Sequence, residues 1–296
     1  MRKTLLQLKS ATFEPIGNFD PQDIASPFVP PCSHRLRPMF NVSELKKRTA
    51  LRHIEYHETL DSTNRLANEL ICDLLPLSPA LVLADKQTAG RGRGANQWWA
   101  TAGALTFSLV LDADEVGIPA QHRPLISLTM GLAVRSVLSA ALPDRVVAIK
   151  WPNDVLIDER KVCGILVEQH VTDGRSAIVA GVGINVNNSL ADAPTDVRQR
   201  ATSLFDLSGT SLSLDELLFD VLNSFDRRCA QLSVGSDELI AELNQRSLLN
   251  GRNIVLATAN EQFSGRCEGI DPSGALRLIT PEGSQAFVSG SIESWE

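Results

Sequence analysis

The 296 residues are enough for about two domains, one of them with a full hydrophobic core. The formal net charge of −7 disfavours binding to phosphate backbones, and no basic face of any length offsets it, so nucleic acid is an unlikely partner. The five cysteines are widely spaced and form no C-x-x-C pair, which argues against a disulfide scaffold or zinc site and favours the cytoplasm. No run of about 18 apolar residues is present, so we expect no membrane span.

Residues 1–50 predict a Pro-rich, poorly structured N-terminal extension. No pair of amphipathic helices joined by a tight turn is visible there, which argues against a helix-turn-helix DNA-binding module. The prolines that interrupt any helix in this segment are Pro15, Pro21, Pro27, Pro30, Pro31 and Pro38.

Residues 51–246 alternate between helical and strand periodicities, which predicts an α+β domain with a mixed sheet. Asp61 or Ser62 can cap the first helix, and the Ser213-x-x-Glu216 capping box opens the last one, which runs to about Leu232. Between them we predict strands at 81–86, 105–111 (half-buried), 146–149 and 178–186, a helix at 125–141, and a hairpin of 155–157 with 161–168.

Residues 247–296 have a different sequence pattern from the preceding domain. Short strands at 253–257, 262–265, 275–280 and 285–288 alternate with turns such as Asp271-Pro272-Ser273-Gly274. This spacing predicts a compact β-barrel appended to the larger domain.

The stretch QTAGRGRGANQWWA, residues 87–100, is both glycine-rich and cationic. Glycines let backbone N–H groups approach a ligand, and guanidinium groups suit phosphate or carboxylate. The spacing G-x-G-x-G matches neither a P-loop nor a dinucleotide fingerprint. The loop is therefore interpreted as a clamp over a nucleotide-like anion, with a solvated hairpin loop as the alternative. Its cationic and aromatic candidates are Arg91, Arg93 and Trp98.

A second informative stretch is KWPNDVLIDERKVCGILVE, residues 150–168. Lys150 and Asp154 bracket a proline that holds its neighbours extended. Asp154 is a natural ligand for Mg²⁺ carrying nucleotide phosphates. Lys161 lies across the predicted hairpin, where its ammonium can meet a carboxylate, and Gly164 would let a ligand lie against the backbone. The alternative is a charged surface hairpin.

Five ordered motifs resemble the signatures of biotin–protein ligases, in the form without an N-terminal DNA-binding domain. The resemblance covers roughly residues 54–296. It implies a central catalytic domain with a mixed sheet, an SH3-like C-terminal barrel, and a two-step reaction. Biotin and MgATP give biotinyl-AMP, whose acyl group passes to one lysine of a biotin carboxyl carrier domain. The motifs are DSTN (61–64), QTAGRGR (87–93) with Trp98, KWPNDV (150–155), RKVCGILVE (160–168) and GVGINV (181–186).

The resemblance also implies the site residues. Hydroxyl and amide groups suit the neutral ureido ring of biotin, whereas the cations suit its carboxylate and the α-phosphate. Catalysis is then assigned to Arg93, Lys161 and Asp154, with Asp154 also holding Mg²⁺. The implied biotin-binding residues are Ser62, Thr63, Asn64, Gln87, Arg91, Gly92, Arg93, Lys161 and Gly164. The implied nucleotide-binding residues are Trp98, Lys150, Asn153 and Asn185.

Three alternatives stay open at this point. The first is a ligase of the same superfamily that acts on lipoate or another acyl acid, the second is a biotin-sensing repressor, and the third is a catalytically silent binding protein. The sequence leaves a homodimer possible and does not identify the acceptor protein. Where the family loop commonly continues with basic residues, this chain has Gly94, Ala95, Asn96 and Gln97, which leaves fewer cations to retain an adenylate.

Overall fold

A seven-stranded mixed sheet forms the centre of the molecule. The computed structural model describes residues 40–99 and 101–296, which belong to one compact unit. The strand order is β1-β2-β3-β7-β6-β5-β4, in which β1 and β2 are parallel and every other neighbouring pair is antiparallel. The strands are β1 (His53–Leu60), β2 (Ala80–Gln87), β3 (Leu105–Asp112), β4 (Val147–Lys150), β5 (Asp154–Ile157), β6 (Arg160–Thr172) and β7 (Arg175–Ile184).

Helices cover both faces of this sheet. The helices are α1 (Val42–Arg48), α2 (Thr63–Glu69), α3 (Ile71–Leu74), α4 (Ile126–Ala141), α5 (Thr195–Arg200), α6 (Leu204–Ser208), α7 (Leu214–Val234) and α8 (Asp237–Arg246). On one face α4 packs against the sheet and α7, and on the other α2 contributes Ala67 to a smaller apolar cluster. All eight residues of β3 are buried, so the expected half-buried strand is wrong: α2 covers its second face.

One span, Ala120–Ala141, is long and apolar enough to cross a membrane by length and composition alone. It contains α4, whose residues Leu128, Met130 and Leu132 are buried in the main core. The same composition is therefore explained by its position between the sheet and α7, where a helix is apolar on most sides.

The C-terminal residues form a five-stranded antiparallel sheet of order β11-β10-β9-β8-β12. It is tied to the larger domain, because the indole N–H of Trp151 donates to the carbonyl of Gly274 at 3.1 Å and Asn244 donates to Ile270 at 2.9 Å. The predicted α+β domain with a small terminal β-domain is confirmed. Its strands are β8 (Asn253–Ala257), β9 (Gln262–Ile270), β10 (Leu276–Thr280), β11 (Gly283–Phe287) and β12 (Ser291–Trp295).

The expected unstructured extension at 1–50 is wrong at its C-terminal end. Residues 42–48 form α1, which Asn41 caps by accepting a hydrogen bond from the N–H of Glu44 at 3.2 Å. Phe40 and Leu45 are buried in the main core, which holds the helix in place. Residues 1–39 of the predicted extension lie outside the described residues.

Candidate active site

A cavity of about 160 Å³ lies between the central sheet, the loop at 90–98 and the C-terminal domain. This is many times the roughly 10–15 Å³ that one water molecule requires, so the cavity can take a small organic ligand. Of the lining side chains in the described part of the chain, four are cationic and one is a carboxylate, although the net charge of the protein is −7. The charged members are Arg91, Arg93, Lys150, Lys161 and Asp154.

One end of the cavity is polar and uncharged. Ser62 caps α2, which places the next two residues, Thr63 and Asn64, in the first turn of the helix. The N–H and hydroxyl of Thr63 lie 2.7 and 3.2 Å from Oε1 of Gln87, which ends β2. The hydroxyl of Ser108 lies 2.8 Å from Thr63 Oγ1 and 2.7 Å from Asn64 Oδ1. These buried hydroxyl and amide groups can recognise a neutral, flat polar group with several donors and acceptors.

Glu168 holds Asn64 from the opposite side. Its Oε2 accepts hydrogen bonds from the amides of Asn64 at 2.8 Å and Asn68 at 2.7 Å, and its Oε1 lies 3.5 Å from Arg91. Glu168 therefore links the uncharged end of the cavity to the cationic loop. Glu168 ends the motif RKVCGILVE, but the sequence pattern predicts no role for it.

Two glycines of β7 allow this arrangement. A Cβ at Gly181 would lie 2.0 Å from Oδ1 of Asn64, and a Cβ at Gly183 would lie 2.4 Å from Cε2 of Trp98. Gly183 pairs with Gly164 on β6, and the indole of Trp98 approaches both. Side chains at these positions would displace the groups that line the middle of the cavity, so the G-x-G spacing serves close packing.

The other end of the cavity holds the lysine and carboxylate of the β4–β6 segment. Nζ of Lys161 lies 2.6 Å from Oδ1 of Asp154 and 5.8 Å from the ring centroid of Trp98. Asn153 donates its amide hydrogen to the carbonyl of Ile165 at 2.7 Å, which fixes the turn before Asp154. The predicted hairpin thus brings Asp154 and Lys161 together, and a ligand carboxylate that binds Lys161 would compete with Asp154.

The glycine-arginine loop closes on itself as a small hairpin. The N–H of Trp98 donates to the carbonyl of Gly90 and that of Gly92 to Asn96, each at 2.9 Å. The guanidinium of Arg93 donates to the carbonyl of Gly290 in the C-terminal domain, and burial lowers its pKa from the usual arginine value. The loop is therefore fixed by a residue almost two hundred positions away in the chain.

Lys150 also contacts the C-terminal domain. Its ammonium donates to the carbonyl of Ile292 at 3.4 Å and lies 4.6 Å from the ring centroid of Trp295. Burial lowers the pKa of Lys150, an effect that the nearby carboxylate of Asp154 opposes. Sequence reasoning gave no signal that residues 290–295 border the site.

The cavity brings together all but one of the residues predicted for the site. The exception is Asn185, which is buried outside the cavity lining, donates to the carbonyl of Thr202 at 3.1 Å and accepts from the amide of Asn188 at 3.1 Å. The residues that meet are Ser62, Thr63, Asn64, Gln87, Arg91, Gly92, Arg93, Trp98, Lys150, Asn153, Asp154, Lys161 and Gly164.

Similarity to known proteins follows the same division of the chain. Residues 56–185 match the biotin/lipoate A/B protein ligase family, and residues 250–295 match the biotin protein ligase C terminal domain. The first match covers most of the sheet that lines the cavity, and the second covers β12, which contacts Lys150, and Gly290, which contacts Arg93.

Individual relatives are similar over most of the chain. The biotin–[acetyl-CoA-carboxylase] ligase of Paracoccus denitrificans is 35% identical over 240 residues, which cover 78% of this chain and 96% of that protein. The bifunctional ligase/repressor BirA of Bacillus spizizenii is 35% identical over 252 residues, which cover 84% and 76%. The biotin protein ligase of Aquifex aeolicus, solved in complex with biotin and ATP, matches with a TM-score of 0.69 at 27% identity, covering 83% of this chain and 99% of that one.

Proposed function

Because this chain belongs to the biotin protein ligase family, we propose that it is a biotin–[acetyl-CoA-carboxylase] ligase that activates biotin with ATP and transfers it to a carrier lysine. The observation that supports the proposal is the change from uncharged to cationic side chains along one cavity. An uncharged hydrogen-bonding end made around Thr63, Asn64 and Gln87 is joined through glycine-lined strands to an end with several cations. Biotin has the same gradient, from its ureido ring to its carboxylate.

In the first step a carboxylate oxygen of biotin attacks the α-phosphorus of ATP, and the bond from that phosphorus to the pyrophosphate oxygen breaks. Lys161 and Arg93 stabilise the negative charge shared by the carboxylate and the phosphate as they approach. Asn64 and Gln87 hold the ureido end, so the carboxylate is fixed in position. None of these residues forms a covalent bond with substrate.

In the second step the amine of a carrier lysine attacks the acyl carbon of biotinyl-AMP. The amide bond forms as the bond between carbon and phosphate oxygen breaks, AMP leaves with the electron pair, and the nitrogen loses a proton to solvent. Arg93 holds the loop closed over the adenylate until the carrier binds. The indole N–H of Trp98 has no hydrogen-bond partner among the described residues, and it donates to the bound adenylate. The carrier is a biotin carboxyl carrier domain, and the reaction takes place in the cytoplasm.

Asp154 is the residue that would hold Mg²⁺. Among the described residues it is the one carboxylate that lines the cavity, its side chain is 19% exposed, and Lys161 is its present partner. This fits the usual binding of Mg²⁺ through one or two carboxylates together with substrate phosphates. Mg²⁺ held by Asp154 would neutralise phosphate charge, and Lys161, no longer paired with Asp154, would be free to bind the biotin carboxylate. Lys150 and Asn153, at the turn between β4 and β5, contribute to nucleotide binding. Asn185 supports the start of β6, because its backbone N–H donates to the carbonyl of Val162 at 2.9 Å.

The test is biotin-dependent ATP–pyrophosphate exchange on the purified protein, followed by transfer to a carrier domain. We expect exchange that needs biotin, and one modified lysine on the carrier. Lipoate in place of biotin should support neither, since it lacks a ureido group for Asn64 and Gln87. A folded protein that showed neither exchange nor transfer would contradict the proposal, and preference for lipoate would move it to the related acyl class.

A further inference from the structure

Trp295, the penultimate residue, belongs to the C-terminal domain and contacts Lys150, which lines the active-site cavity. Its ring centroid is 4.6 Å from Nζ of Lys150, and its indole N–H donates to Oε2 of Glu159 at 3.2 Å. Glu159 is itself held by Arg252, whose guanidinium lies 2.8 Å from Oε1. The edge of the ring is therefore held by Glu159, and its face lies against the ammonium of Lys150.

The way in which Lys150 is held leaves it available to a ligand. Of the three donors on Nζ, one reaches the carbonyl of Ile292 at 3.4 Å. An aromatic face attracts the cation without carrying a formal charge, so it orients the ammonium without neutralising it. Asp154, which lines the cavity, is paired with Lys161 at 2.6 Å, and the negative charge of Glu293 in β12 also attracts the ammonium of Lys150. Lys150 thus lines the cavity with two ammonium donors that no described residue accepts.

We propose that Trp295 is a positioning residue of the active site, which holds the ammonium of Lys150 in the place where it binds the phosphates of ATP. The inference rests on the proposed function for the identity of the ligand. Ser291 and Ile292 of β12 line the cavity, so this strand supplies a wall of the nucleotide site. The C-terminal domain then acts on ATP through Lys150 and on the loop through Arg93.

The experiment compares Trp295→Leu with Trp295→Phe in the full-length protein. A cation–π contact of this kind corresponds to roughly 2- to 30-fold in affinity. Trp295→Leu should raise KM for ATP by this factor and leave KM for biotin unchanged, whereas Trp295→Phe, which keeps an aromatic face, should retain most of the affinity. Phe263→Leu is the matched control, because it removes a ring from the same domain that packs on Phe287 instead, with centroids 4.7 Å apart.

Two further measurements separate positioning from a general structural role. Lys150→Met should itself raise KM for ATP, and adding Trp295→Leu to it should change nothing more, because the double-mutant cycle then has no contact left to remove. Thermal unfolding of each variant shows whether the domain stays folded. Calorimetric titration with MgATP gives the same comparison without turnover, so it tests Trp295 even if the wild-type protein shows no biotin-dependent exchange.

Several results would overturn the assignment of Trp295. These are an unchanged affinity for ATP in Trp295→Leu, an equal rise in KM for ATP and biotin, an effect matched by Phe263→Leu, or additivity with Lys150→Met. A rise confined to ATP, recovered by phenylalanine and absent in the Lys150→Met background, supports it.

Discussion

Replacing Glu168 by alanine should weaken biotin binding far more than ATP binding. The carboxylate accepts hydrogen bonds from Asn64 at 2.8 Å and Asn68 at 2.7 Å, and lies 3.5 Å from Arg91. Asn64 is only 3% exposed, so water cannot easily replace the lost acceptor. The remaining acceptor for the Nδ2 hydrogens of Asn64 is the carbonyl of Leu166 at 3.3 Å, a longer contact.

The expected rise in KM for biotin depends on which contact of Glu168 contributes the most free energy. A hydrogen bond to a charged group contributes about 1.5–3 kcal/mol, or roughly 10- to 150-fold in affinity. The pair of Arg91 and Glu168, whose side chains are 44% and 25% exposed, is discounted for solvent screening to at most about 1 kcal/mol. The contact with Asn64 therefore decides the outcome, and KM for biotin should rise roughly 10- to 150-fold.

The assay is biotin-dependent ATP–pyrophosphate exchange at varied biotin and varied ATP. Glu168→Gln keeps an oxygen that accepts from Asn64 and should lose less than Glu168→Ala. Arg91→Gln tests the solvent-screened pair separately, because it removes the contact with Glu168 and leaves the hydrogen bonds from Asn64 and Asn68 to Glu168 in place. A Glu168→Ala protein with an unchanged melting temperature and an unchanged KM for biotin would refute the reasoning.

Three other predictions concern the cations and the charge of the chain. Lys161→Ala should slow adenylate formation in single turnover by roughly 10- to 150-fold while the protein stays folded; an unchanged rate would show that Lys161 does not stabilise the reacting carboxylate and phosphate. Arg93→Gly should still form biotinyl-AMP but release it faster and label bystander lysines, because contacts of the closed loop form after the ligand enters; equal off-rates for both proteins would show that Arg93 is not the latch. The protein should not bind its own promoter region specifically, and salt-sensitive binding with a Kd near ~10⁻⁸ M would contradict this.

The types of secondary structure and most of the residues that line the cavity could be predicted from the sequence alone, because both depend on local sequence patterns. Ser62 caps α2 and Ser213 caps α7, as the capping signals predicted. The hairpin that brings Asp154 and Lys161 together needs only the short turn between β5 and β6. Alternating strands and turns after residue 250 likewise predicted the terminal β-domain, since strand and turn preferences act over a few residues.

Only the tertiary structure decided which distant groups complete the site. Ser108 is one small residue in an apolar strand, and its role depends on α2 lying over β3. The segment 40–48 is held as a helix by the buried Phe40 and Leu45, which a count of prolines does not register. The contacts from Lys150 to Ile292 and from Arg93 to Gly290 join residues 142 and 197 positions apart. Such contacts arise from the packing of two domains, and periodicity within a short window carries no information about which remote surfaces meet.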